Sequence, residues 1–204
     1  MKSKLLTLFA STVITGAALA APLSFDFKDP KGVNNAVFKL DAPLEAINGS
    51  ANGISGTVLF DPANPAATKG RIILATESLT VPNTMMNGHM HSPMWMDVAA
   101  NKEITFEAKE LKNVKTAGDK TTADAVGTLT IKGVAKEVNT PISLTYLKDK
   151  LGQRVPNMKG DLLVIRTSFT IKRSDYGINP QAPEEKVSDK IELTLSIAGA
   201  AAQK

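Results

Sequence analysis

The chain has no cysteine, only two histidines and a single tryptophan, and aromatic residues make up 5% of its 204 positions. Without cysteine there is neither a disulfide framework nor a thiolate metal site, so the fold must stand on its hydrophobic core. Few aromatics and no polybasic run argue against nucleic acid as a partner. The sequence also lacks a G-x-S-x-G elbow, a P-loop, a G-x-G-x-x-G turn and an H-E-x-x-H helix. A Ser-His-Asp triad would have to draw on His89 or His91, and the carboxylates scatter along polar strand faces without pairing. Ser55, in the stretch NGISGT, reads as a turn residue, and Asp61 and Asp97 as turn or cap residues. No catalytic residue and no cofactor is expected.

Long apolar runs are scarce too. Residues 1–20, MKSKLLTLFASTVITGAALA, carry one, but it is short and is broken by Ser11, Thr12, Thr15 and Gly16, which argues against a membrane anchor. Lys2 and Lys4 precede it and Ala18-Leu19-Ala20 follows as an A-x-A site, so the segment reads as a secretory signal cleaved after Ala20. Residues 21–204 are then expected to be a single exported domain, periplasmic in a bacterium and long enough for a full core. Loss of Lys2 and Lys4 leaves 22 basic against 20 acidic residues, a nearly balanced chain.

What the chain does have is period-two alternation, the mark of strands with one buried face. LSFDF sets Leu23, Phe25 and Phe27 on one side, and EITFEAKEL aligns Ile104, Phe106 and Ala108. GTLTIKG aligns Leu129 and Ile131, and TPISLTYLKDK aligns Ile142, Leu144 and Tyr146. DKIELTLSIAG aligns Ile191, Leu193, Leu195 and Ile197. With AVFKLD, GTVLFDP, GRIILATESL and DLLVIRTSFTIKR the chain offers roughly eight or nine strands, and a helical pattern is suggested at residues 83–92 alone. Short links rich in Gly, Pro, Asn and Asp favour antiparallel neighbours. An all-β antiparallel sheet of this size buries its apolar face by closing into a barrel or splitting into a sandwich. A barrel of about eight strands has room for one small ligand.

Five phrases, in order, resemble the YceI-like family of polyisoprenoid-binding proteins: GISGTVLFDPANP, GHMHSPMWMDVAANKEITFEA, GTLTIKGVAKEV, SFTIKRSDYGI and VSDKIELTLSIAG. The resemblance implies an antiparallel lipocalin-like β-barrel of about eight strands with one short helical segment. Its long apolar channel would hold an isoprenoid, quinone-like or other long-chain lipid, with no cofactor and no catalytic residue. Such a carrier implies an unidentified membrane donor or acceptor protein, and it is compatible with a homodimer. His89 stands where the family's histidine stands, three residues before Ser92, and Met90 replaces its leucine.

The stretch TMMNGHMHSPMWMDV, residues 84–98, gathers five of the seven methionines, both histidines and the tryptophan. It has three readings. Thioethers with imidazole select Cu(I), which would make Met86, His89, Met90 and His91 a periplasmic copper site. If the segment is helical, however, the two histidines diverge by about 200°. Alternatively, flexible thioethers pack against variable apolar partners. Met85, Met86, Met90, Met94, Trp95 and Met96 would then form a lip around a lipid chain, with His89 or Asn83 meeting its head. The third reading is a plug of ordinary core at the barrel end.

Bulky members of the alternating sets complete the candidate ligand-binding residues. With Met86, His89, Met90, Met94 and Trp95 they are Phe38, Phe60, Leu74, Leu79, Phe106, Leu129, Ile131, Leu144, Phe169 and Tyr176. Which set faces inward depends on register, since one step flips them all. The run Arg173-Ser174-Asp175-Tyr176-Gly177 reads as a strand-end turn. Arg173 and Asp175 are expected to pair there, Gly177 to take a conformation other residues avoid, and Tyr176 to stand at the channel mouth.

Overall fold

The computed structural model describes residues 21–203, so the candidate signal segment lies outside the described residues. The described residues form ten strands: β1 (Leu23–Asp26), β2 (Asn35–Asp41), β3 (Ala46–Ala51), β4 (Ile54–Phe60), β5 (Lys69–Ala75), β6 (Glu103–Ala117), β7 (Lys120–Ile131), β8 (Val134–Leu147), β9 (Gly160–Lys172) and β10 (Lys190–Ala202). Eight of them close a ring in the order β1-β4-β5-β6-β7-β8-β9-β10, and every pairing in it is antiparallel. Closure gives each of these eight strands a partner on both sides along at least part of its length, so the ring has no edge strand.

The remaining two strands form a hairpin on β10. β10 is 13 residues long, and one edge serves two partners. Glu192–Ser196 pairs with β2, while Ala200 pairs with Asp26 of β1. Ser55 is a strand residue, opposite Ile73, and not part of a turn. The chain reverses just before it, at Asn52-Gly53, where the Ile54 N–H donates to the Asn52 carbonyl at 2.8 Å.

Among the described residues two α-helices interrupt the strands, α1 (Thr84–His91) and α2 (Leu151–Arg154). Asn83 caps α1 by accepting from the Met86 N–H at 3.0 Å, which satisfies one of the donors that every helix start leaves free. Pro93 ends it, because a proline disfavours helical geometry in the residue before it; Ser92 is already extended.

The register points one alternate set of each strand inward and packs the two ends differently. At the end away from α1, Phe25, Phe60, Leu144, Leu163 and Ile197 share a buried cluster. Within it the rings of Phe25, Phe60 and Tyr146 lie 5.9–6.4 Å apart, edge-on or tilted. Each such side chain contributes about 1.5–3 kcal/mol by leaving water. At the α1 end Leu40, Leu79, Met96, Ile131, Ile171, Tyr176 and Ile178 form a second cluster.

The β1–β2 connection is held by Asp29. Its carboxylate accepts from the N–H groups of Lys31, Val33 and Asn34 at 3.2, 2.9 and 2.8 Å, and from Arg154 of α2 at 2.9 Å. Burial pushes this carboxyl up, but the N–H donors and Arg154 outweigh it and hold it below its ordinary range. The neighbouring Asn34 is buried and bonds Phe27 and Ala198, stitching β1 to β10.

Candidate functional site: an apolar channel behind helix α1

The barrel is hollow between its two clusters. A cavity of about 250 Å³ lies against α1, and a second of about 190 Å³ lies deeper. Phe38, Leu79, Ile104, Ile131 and Leu193 belong to the walls of both, so these are successive chambers of one channel. The outer chamber is walled by Leu40, Glu45 and Ile47 of the β2–β3 hairpin, by Met86, His89 and Met90 of α1, and by Trp95, Ile178 and Val187. The inner one is walled by Val58, Ile72, Leu74, Phe106, Leu129, Leu144, Ile165 and Phe169. Val58, Leu144 and Ile165 also belong to the cluster that contains the Phe25, Phe60 and Tyr146 rings, which closes the deep end.

Phe38 reaches both chambers because β3 makes room for it. Its ring lies over Gly49, the residue opposite it in the ladder, where any Cβ would collide with it.

Of the residues chosen from sequence, Phe38, Leu79 and Ile131 line both chambers. Met86, His89, Met90 and Trp95 line the outer one, and Leu74, Phe106, Leu129, Leu144 and Phe169 the inner one. Three stand elsewhere. Phe60 is on the inward face but sits beyond the deep wall, packed against Phe25 and Tyr146. Tyr176 is 2% exposed and lines neither chamber, because the turn Ser174–Tyr176 folds it into the buried cluster at the α1 end. Met94 is 65% exposed: it follows the end of α1, and its carbonyl, not its side chain, is tied down, by the Asn179 N–H. Asn83 is spent on the helix cap.

The methionine- and histidine-rich segment is helical where its candidate metal ligands lie, so the two histidines part. His89 faces the chamber, while His91 Nε2 is 2.8 Å from the Leu79 carbonyl oxygen and pins α1 to the chain before it. Among the described residues no group of three or more His, Cys, Asp or Glu side chains is arranged so that it could hold a metal ion.

Sequence reasoning missed the most unusual wall residue. Arg173 is 1% exposed and borders the outer chamber. It does not pair with Asp175. All five of its N–H groups are directed at main-chain carbonyls instead: Nε at Ser188, Nη1 at Ile178 and Asn179, Nη2 at Ala182 and Val187. Its guanidinium carbon lies 5.9 Å from the centre of the Trp95 ring. A buried charge is tolerated when every donor is matched, and here one side chain organises the whole 178–188 loop into chamber wall. Gly177, at φ 64°, supplies the left-handed turn that starts the loop. Asp189 stays below its ordinary carboxylate range: burial pushes it up, but two bonds from Ser174 and the Arg173 and Lys172 charges outweigh this.

A closed antiparallel barrel around an apolar cavity places the protein in the lipocalin-like class. Within that class, the chain belongs to the YceI-like domain family, whose model matches residues 29–199. It is 32% identical over 151 residues to a UPF0312 protein of Pseudomonas paraeruginosa, covering 74% of this chain and 72% of the relative. A UPF0312 protein of Yersinia pestis is 29% identical over 197 residues, covering 95% and 94%. Among solved structures the fold matches BcnA of Burkholderia cenocepacia, with TM-score 0.66 and 19% identity over 81% of this chain and 95% of that one. It also matches a polyisoprenoid binding domain from Saccharophagus degradans implicated in plant cell wall breakdown, with TM-score 0.64 and 12% identity over 88% and 99%.

Proposed function

We propose that this protein is an exported carrier that shelters a long apolar lipid, an isoprenoid or quinone-like chain, in the channel behind α1. One observation carries the reading: the two joined chambers are walled almost wholly by aliphatic and aromatic side chains. At about 30 Å³ for each non-hydrogen atom, the volume of a liquid water, they hold a chain of about fifteen such atoms. Burial at about 0.8 kcal/mol per methylene is worth on the order of 10 kcal/mol before ordering costs are subtracted, so binding needs no ion pair. The isoprenoid class is supported by the Saccharophagus degradans neighbour, described as a polyisoprenoid binding domain. The signal-like residues 1–20 support export to the periplasm, and a lipid that leaves one membrane suggests a donor or acceptor there. The protein acts by binding alone, with no chemistry of its own.

Trp95 is the single tryptophan and lines the outer chamber, so its emission reports occupancy. Titration with anthraniloyl-labelled farnesol should give saturable energy transfer from Trp95 that unlabelled prenyl alcohols displace. Absence of transfer, or transfer that unlabelled chains do not displace, would remove the reading.

A further inference from the structure

The barrel wall is incomplete on one side. β8 and β9 are neighbours, yet their ladder runs only from Leu147 opposite Leu162 to Ile142 opposite Thr167. Toward α1 both strands continue, β8 back to Val134 and β9 on to Lys172, each paired on its far side with β7 and β10 respectively. The break falls at Pro141. Its carbonyl oxygen faces β9, where Thr167 Oγ1 donates to it at 2.7 Å. In an antiparallel ladder the N–H and C=O of one residue point to the same neighbour, and proline has no N–H to give. The next bond to β9 therefore lacks its donor, and the strands part. By alternation, Ala135, Glu137 and Asn139 of β8 aim their backbone groups into the gap.

The gap has a frame. At its far end Thr140 Oγ1 and Thr167 Oγ1 lie 2.7 Å apart. At its near end Lys132, in the β7–β8 turn, donates to the carbonyl of Gly177 at 3.2 Å and to that of Pro93 at 3.0 Å. Between them stand the half-buried side chains of Val138 and Phe169. Phe169, Thr140 and Thr167 also line the inner chamber.

We propose that this gap is a lateral portal: an apolar chain passes sideways between β8 and β9 into the channel, and does not thread end-on past α1. The inference rests on the carrier reading above. An end-on route has to displace a capped helix, the His91 bond and a loop held by every donor of Arg173. The side route separates strands that have no ladder between Val134–Thr140 and Ser168–Lys172, and the entering chain itself packs against the apolar side chains that it pushes aside.

Because the chain lacks cysteine, Asn139→Cys and Met85→Cys each create one labelling site, both at exposed positions, one beside the gap and one on α1. Each variant is reacted with a polyethylene-glycol maleimide, and the rise of Trp95 energy transfer is followed after mixing with phosphatidylcholine vesicles that carry anthraniloyl-labelled farnesol. The polymer at residue 139 should slow loading at least about fivefold, and that at residue 85 by less than about twofold, with equal final signals. Slowing by the label at 85 alone, equal slowing by both, or slowing by neither would overturn the portal while leaving the carrier reading intact. If the unlabelled protein shows no transfer at all, the carrier reading falls and takes the portal with it.

Discussion

Arg173 shows how a single residue can set a site without touching chemistry. Its guanidinium gathers five carbonyls of one loop, and hydrogen bonds to a charged group are each worth about 1.5–3 kcal/mol net. Replacement by lysine keeps the charge but loses the planar fork. Arg173→Lys is therefore expected to lower stability by at least about 3 kcal/mol in urea unfolding, as does removing one partner from a buried charged network. In the sequence this residue sits two positions before Asp175, which made an ion pair the natural reading; that its partners are carbonyls of residues 178–188 depends on a loop path that no local pattern encodes. The alternation was more informative for the apolar walls, since β5, β6, β7 and β9 each present their bulky set inward. It could not tell Phe60 from Leu144: both face inward, and only the edge-on and tilted packing of Phe60 against Phe25 and Tyr146 puts it behind the channel end. Met90 tests the wall directly. Met90→Asp places a carboxylate in an apolar chamber, which costs several kcal/mol if it stays ionised. Retention of labelled farnesol should fall at least about tenfold, with the far-ultraviolet circular dichroism unchanged; equal retention would separate Met90 from the ligand.

At the scale of elements, the period-two strands and the α1 segment were legible, while the β2–β3 hairpin and the portal were not. AINGSA, which forms β3, has one bulky residue and carries no alternation; it is a strand because β2 offers it an edge and Phe38 needs the space over Gly49. Pro141 was visible inside a strand phrase, and a proline there signals a missing ladder bond. Which neighbour loses that bond depends on which way the residue faces, and the Thr167 contact decides it. The gap has its own observable. Backbone amides of Ala135, Glu137 and Asn139 should exchange with deuterium far faster than those of Ser143 and Thr145, which lie within the β8–β9 ladder. Uniform protection along β8 would mean that the strands are paired after all.

For the whole molecule, the hollow barrel trades core for capacity, so stability leans on a few polar anchors. Asp29 and Asp189 both have folded-state carboxyls held below their ordinary range, by N–H donors and by Arg154 and Arg173 respectively. A group depressed in this way stabilises the fold above its unfolded pKa, and the contribution is lost as pH falls through the folded value. Stability should accordingly be full near neutrality and decline below about pH 4. Asp29→Asn is expected to cost about 1–3 kcal/mol at pH 7 and much less at about pH 3, read as the urea midpoint at each pH. A constant cost across that range would show that the Asp29 charge is not what holds the β1–β2 connection.

The carrier account depends on the channel being filled by a lipid in the organism. Native mass spectrometry of protein purified from its own host, before and after extraction with organic solvent, tests this most directly. The account predicts a bound species of a few hundred daltons that the solvent removes and that fragments as a prenyl or other long hydrocarbon chain. Protein that arrives at its bare mass, or carrying copper in place of an extractable chain, would contradict it.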